Sequence, residues 1–358
     1  MSSPVKNAAG VRIPSTYKTP ARLTDPDVGK DSIWVEFVGL TNKHKALNLG
    51  QGFPNFFPPA HVIDNLTRNG DKYLLNQYTR GPGHPPLVQA LKQMYDPLLK
   101  REINAMSEVI VTVGAYGSLY AAIMASVSEG DEVIVVEPFF DCYAPMIKLA
   151  GGIPKFIQIK PPTDPSKANT TANWAIDMEE LDSMFTSKTK LVIINNPNNP
   201  LGKVFTLPEL TAVADIIKKH DVMCISDEVY EHLIYPGVEM HRMATIDGMW
   251  DRTFTIGSAG KTFSVTGWKL GWCIAPAYLI KNMNYVWQNV CYTSPTPIQD
   301  ACADSFVIEM KKRDAGDKDC YREFVKKKLF SAKIDDFIDF QFSIFLIYFD
   351  LPAFHRLG

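Results

Sequence analysis

The sequence lacks most of what marks several large functional classes. Its charges nearly cancel, 37 Lys and Arg against 39 Asp and Glu for a net of −2, so no broad field favours nucleic acid or an anionic membrane. No apolar run is long enough to span a bilayer. Residues Met1 to Gly10 lack both the apolar core of a secretory signal and the repeated arginines of a strong mitochondrial presequence. The six cysteines, Cys142, Cys224, Cys273, Cys291, Cys302 and Cys320, show neither C-x-x-C spacing nor a regular framework. Neither a metal site nor a disulfide scaffold is therefore expected. These absences point to a soluble, cytoplasmic protein acting on small molecules, with a mitochondrial address left open.

What is present centres on Thr253 to Trp272. A β-like run ends in Gly257-Ser258-Ala-Gly260, a tight turn that presents Lys261, and Lys269 opens the next apolar run. Gly257 to Thr262 ends like a phosphate loop, but only two residues separate its glycines where four are needed. Ser258-x-x-Lys261 matches a serine nucleophile motif whose partner elements are missing. A third reading is a Schiff-base lysine. It must lose its proton near neutral pH, which desolvation and the neighbouring charge of Lys269 both favour. From this loop alone, two solvated surface lysines remain an equal alternative.

The rest of the chain alternates strands and helices. Ser32 to Leu40 has helical spacing around Trp34, and Gly50-Gln-Gly52-Phe-Pro-Asn55 is a loop that lets main chain approach a ligand. Tyr78 and Arg80 sit on a Gly/Pro-rich loop. Val109 to Val113 is strand-like, Gly114-Ala115-Tyr116-Gly117-Ser118 a small-residue turn, and Leu119 to Val127 a helix whose first amides form an anion site. A strand from Glu132 to Glu137 leads into Phe140. Another, from Lys190 to Asn195, leads into Asn196-Pro-Asn-Asn199-Pro, and a third, from Asp221, ends in Asp227-Glu228. Such units imply an α/β fold with a mostly parallel, doubly wound sheet, whose ligands bind outside the strands' carboxyl ends. Every residue singled out from Gly114 onward is expected at such an end.

A pyridine aldehyde phosphate needs the groups that this chain supplies: an imine lysine, an acid for the ring nitrogen, donors to a phenolate, a stacking ring and an anion site. The apolar strand ending in Asp227-Glu228 also suits a nucleotide hydrolase, but it precedes the lysine loop, whereas those enzymes place it after their phosphate loop.

Six motifs occur together and in order: Asn48-Leu-Gly-Gln-Gly-Phe-Pro, Asn76-Gln-Tyr78-Thr, Glu137-Pro-Phe-Phe-Asp-Cys-Tyr143, Asn196-Pro-Asn-Asn-Pro-Leu-Gly202, Ser226-Asp-Glu-Val-Tyr230 and Gly257-Ser-Ala-Gly-Lys-Thr262. On these the chain resembles the fold-type I pyridoxal-phosphate aminotransferases, within them the group of kynurenine aminotransferases, glutamine transaminase K and cysteine-S-conjugate β-lyases. The resemblance runs from about residue 20 to about 325. It implies pyridoxal 5′-phosphate as cofactor, amino acids and 2-oxo acids as substrates, a possible β-lyase side activity and a homodimer.

By the same resemblance Lys261 is the imine lysine and proton shuttle, Asp227 the pyridinium partner, and Tyr230 with Asn199 the phenolate donors. Phe140 would stack on the ring. Ala115, Tyr116, Asn195, Ser258 and Lys269 would complete the cofactor site, and Tyr78 would reach the phosphate of the neighbouring subunit. Trp34, Gly52 and Asn199 would line the substrate pocket. The expected domains are 1–47, an N-terminal arm with part of the small domain; 48–300, the large cofactor domain; and 301–358, the start of a small C-terminal domain.

Two departures stand out. At Tyr292-Thr293, threonine stands where relatives often follow the aromatic with histidine, which bears on substrate preference. After about Lys328 the pattern ends in an aromatic-rich stretch, so the C-terminal domain is expected to be divergent and truncated. Arg356 lies in no motif that would make it the substrate-carboxylate arginine. A catalytically impaired form that binds cofactor or dimerises without turnover is therefore the alternative.

Overall fold

The computed structural model describes residues 18–325 apart from 49, 50, 55, 169 and 236. The expected N-terminal arm up to residue 17, Gly50, Asn55, the divergence after Lys328 and Arg356 lie outside the described residues. In chain order, α1 (Ile33–His44), α2 (Ala60–Asn69) and α3 (Pro85–Leu99) lead to β1 (Val109–Val113), α4 (Gly114–Ser126) and β2 (Glu132–Glu137). Next come α5 (Tyr143–Leu149), β3 (Ile153–Lys160), β4 (Ala175–Ile176), α6 (Met178–Ser183), β5 (Thr189–Asn195), α7 (Leu207–Lys219) and β6 (Met223–Asp227). The chain continues through β7 (Thr253–Ser258), α8 (Ala259–Thr262), β8 (Leu270–Ile274), α9 (Ala277–Val290) and α10 (Thr296–Asp314).

The described strands form one eight-stranded sheet in the order β1-β8-β7-β6-β5-β2-β3-β4. Its centre, from β3 through β2, β5 and β6 to β7, is parallel. The edge strand β4 is antiparallel to β3, and β8 is antiparallel to both β7 and β1. Parallel strands covered on both faces favour unbroken β-branched runs such as Val133-Ile-Val-Val136.

Side-chain alternation divides these runs between two layers. Val133 and Val135 pack with Ile193 and Ile225 toward α4 and α9. Ile134 and Val136 pack with Val192 and Ile194 toward α7, while Val109, Val111, Trp272 and Ile274 meet α3 and α10. Each fully buried Val, Leu or Ile side chain contributes about 1.5–3 kcal/mol. The α7 helix starts as its sequence dictates: Thr206 and Glu209 form a reciprocal capping box, and Lys218 and Lys219 sit in the last turn.

Two expectations need correction. Gly114 to Ser118 is not a turn before a helix: α4 begins at Gly114 itself, so β1 feeds directly into it. The small residues serve packing, because a Cβ at Gly117 would lie 2.7 Å from the Trp287 ring of α9. Lys269 is not at a strand's carboxyl end. It precedes β8, and reaches the same edge of the sheet only because β8 runs against β7.

Candidate active site

The carboxyl ends of β1, β2, β5, β6 and β7, with the amino end of β8, surround a cavity of about 520 Å³. Ligand pockets of this kind typically span about 300–1,000 Å³. Every residue named above for cofactor or substrate lines it except Tyr78. Tyr78 is 82% exposed and stands edge-on against Tyr292, outside its own chain's cavity.

Lys261 lies in the one-turn α8, directly after β7, and its Nζ donates to the Gly52 carbonyl at 2.7 Å. Gly260 lets this turn fold closely, since a Cβ there would stand 3.0 Å from the Thr266 backbone. Burial and the positive charge of Lys269 push the amine down, against the pull of Asp227, to about 8.

Asp227 ends β6 and is almost wholly buried. Its Oδ2 accepts from the Tyr143 hydroxyl at 2.5 Å and its Oδ1 from the Val229 N–H at 3.3 Å. Burial raises this carboxyl to about 6, and the Tyr143 and Val229 hydrogen bonds and the Lys261 charge limit the rise. The sheet register sets Asn195 opposite Asp227, and the Asn195 amide donates to the Asp227 carbonyl at 2.9 Å. The Asn195 side-chain oxygen accepts from the Asn199 N–H at 2.6 Å, and the Asn199 amide donates to the Tyr230 hydroxyl at 3.3 Å. One hydrogen-bonded chain thus ties the ends of β5 and β6 together.

The opposite end of the cavity suits an anion. Gly114, Ala115 and Tyr116 line it with the first turn of α4, whose amides have no intrahelical acceptor. Ser258 and Lys269 join them, with the Lys269 ammonium 5.7 Å above the Tyr116 ring. Gly271 makes this approach possible, because a Cβ there would come within 2.3 Å of the Ala115 nitrogen. Gly271→Ala is expected to lower stability by about 1–3 kcal/mol through overpacking and to weaken phosphate binding. Urea unfolding with and without inorganic phosphate measures both.

Aromatic side chains form the remaining wall. Phe140 meets Tyr116 edge-on with centroids 6.2 Å apart, and the Trp34 indole N–H donates to Asp141 at 3.0 Å across the mouth. Several lining residues escaped sequence reasoning, among them Asp141, Val229 and Thr266. Tyr143 does not line the cavity but holds Asp227. A tyrosine inside a buried helix start does carry a signal, since its hydroxyl needs a partner.

The donor set fits a phosphorylated pyridine aldehyde: an amine with a depressed proton affinity, a buried carboxyl across the cavity, hydroxyl and amide donors between them, and an anion cradle.

The aminotransferase class I and II family model matches residues 44–324. Over 302 residues the chain is 50% identical to kynurenine–oxoglutarate transaminase 3 of Homo sapiens, covering 84% of this chain and 66% of that protein. It is 52% identical over 279 residues to the kynurenine–oxoglutarate transaminase of Dictyostelium discoideum, covering 76% and 64%. The chain therefore spans about two thirds of the length of these curated relatives. The N-succinyldiaminopimelate aminotransferase of Mycobacterium tuberculosis superposes with a TM-score of 0.79 at 32% identity, over 88% of this chain and 76% of that one. YbdL of Escherichia coli, described with a methionine aminotransferase function, gives 0.77 at 33% identity over 87% and 78%.

Proposed function

Because the chain belongs to the aminotransferase class I and II family, we propose that it transfers an amino group from an amino acid to a 2-oxo acid, using pyridoxal 5′-phosphate. The observation that carries this reading is Lys261 facing Asp227 in one cavity, its amine held near 8 beside an anion cradle. When bound, that cofactor supplies an electron sink for the bonding pair released at the substrate's α-carbon.

The chain's residues divide the remaining work. Lys261 would hold the cofactor covalently and, when released, carry the α-proton; an amine that is neutral for part of the time near pH 7 to 8 can take it. Asp227 would keep a proton on the ring nitrogen, and Tyr230 with Asn199 would hydrogen-bond the ring oxygen. Ala115, Tyr116, Ser258 and Lys269 would hold the phosphate, Asn195 would brace Asn199, and Phe140 would cover one face of the ring. Trp34 and Gly52 would bound the substrate, closing water out.

The aromatic wall suits flat or bulky apolar side chains, so kynurenine and aromatic or sulfur-containing donors are proposed, together with glutamine. The names of the relatives support the first. A donor carrying a good leaving group on its β-carbon would lose it after the same proton removal, a β-lyase side reaction. Tyr78, exposed on its own chain, is assigned to the cavity of a second copy, making the active form a homodimer.

Borohydride fixation followed by peptide mapping tests the reading: the cofactor should be recovered on Lys261, and recovery elsewhere or nowhere overturns it. The pH dependence of attachment is a separate prediction. Phosphate-free pyridoxal should attach with a midpoint near pH 8, set by the lowered Lys261. Lys269→Gln removes a like charge, so it should move that midpoint upward. Absorbance read across pH 6 to 11 checks both; a midpoint near the ordinary lysine value of about 10.4 would refute the electrostatic account.

A further inference from the structure

We propose that Tyr143 is a positioning residue for this chemistry, its hydroxyl fixing the Asp227 carboxylate as the anion presented to the ring nitrogen of the cofactor. The inference rests on the proposed cofactor, and goes beyond it by naming what maintains the acid.

Tyr143 opens α5 and is 1% exposed, so its hydroxyl needs a partner inside the protein, and the Asp227 Oδ2 is that partner at 2.5 Å. Burial beside Asp227 holds the phenol well above its ordinary value, so Tyr143 acts as a donor throughout the working pH range. A buried carboxyl without donors would retain its proton. A neutral carboxyl cannot stabilise the charge on a protonated ring nitrogen.

The other groups facing Asp227 do not replace this donor. The Val229 N–H reaches only the other oxygen, Oδ1, at 3.3 Å, and Lys261 is a charge that leaves when it moves; burial and Asp227 push both the Cys142 thiol and the Tyr230 phenol up. The Tyr143 ring also meets Phe140 edge-on at 6.5 Å and stacks with Phe139 at 6.2 Å. One turn therefore places both the cover of the cofactor ring and the brace of its acid.

The test compares two cofactors by absorbance titration across pH 5 to 9: pyridoxal phosphate, and its analogue with carbon in place of the ring nitrogen. Tyr143→Phe is expected to weaken pyridoxal phosphate by about tenfold or more, the scale of a hydrogen bond to a charged group. Its affinity for the carbon analogue should be unchanged. Equal weakening of both would make Tyr143 merely structural and overturn the proposal, as would no weakening of either. Should Tyr143→Phe not fold, Tyr143→3-fluorotyrosine keeps shape and hydroxyl while strengthening the donor. It should tighten only the nitrogen cofactor, and an unchanged affinity would equally overturn the proposal. A wild-type chain that binds neither cofactor removes the reading of the site itself, and the inference with it.

Discussion

Lys261→Ala is expected to abolish oxo-acid formation, with proton transfer alone accounting for a loss of about 10²–10⁴-fold. Lys261→Arg should fail as well, because a guanidinium stays charged in a protein and can take no proton. The alanine variant should nevertheless fold at least as well as the parent. Below pH 8 the parent holds a charged amine where burial and Lys269 oppose it, a penalty of about 3 kcal/mol for a shift from 10.5 to about 8.

The sign follows from proton counting. Between pH 8 and 10.5 the unfolded chain binds more protons at this position than the folded one, so the parent gains stability as pH rises. The gain of Lys261→Ala over its parent should therefore be largest below pH 8 and vanish above 10.5. Urea unfolding of the cofactor-free proteins at pH 7 and pH 10 measures it. A variant that turns over normally, or one that unfolds more easily than its parent at pH 7, contradicts this account.

Arg242→Ala should cause the largest loss of stability, about 3–5 kcal/mol, the usual consequence of removing one partner from a buried ion cluster. Arg242 is 5% exposed and donates to both Glu228 and Glu231, the latter at 2.5 Å. Tyr95 donates to Glu231, and Trp272 donates to the Tyr95 hydroxyl at 3.0 Å. Burial already pushes Glu228 up to about 7 despite the guanidinium. Burial pushes Glu231 up too, but Arg242, His232 and the Tyr95 hydroxyl outweigh it and hold Glu231 below its ordinary range.

Without Arg242 both carboxyls would sit above their unfolded values. Stability would then be kept below about pH 4.3, the ordinary glutamate value, and lost as pH rises through the raised folded values. The difference from wild type should accordingly be small at pH 4 and large at pH 8. Thermal unfolding at both pH values decides it. Because Glu228 follows Asp227 directly, cofactor affinity should fall in parallel. Arg242→Met combined with Glu228→Gln and Glu231→Gln should recover much of the loss, since no buried charge is then left alone.

The chain's own order of residues determined much of this protein. The β-branched runs at 132–137 and 190–194 specify strands buried on both faces, and Thr206 with Glu209 specifies a helix start, because these effects act over a few residues. Lys261 was legible less from its own turn, where a solvated lysine fits equally well, than from the strand ends that bring it among the other polar residues at the sheet's carboxyl edge. The motifs around Asp227, Asn199 and Tyr230 were legible only together, as a resemblance, since no local rule gives an isolated asparagine a partner 31 positions away.

Tertiary structure alone decided the rest. Whether Lys261 loses its proton near pH 8 depends on Lys269 and on burial, and Lys269 reaches the cavity only because β8 reverses direction. The clasp of Arg242 on two glutamates is equally invisible in sequence, and so is the identity of Asp227 as the partner of Tyr143. A hydrogen bond spans about 3 Å, and the 84 positions between Tyr143 and Asp227 are brought within it only by the parallel pairing of β2, β5 and β6.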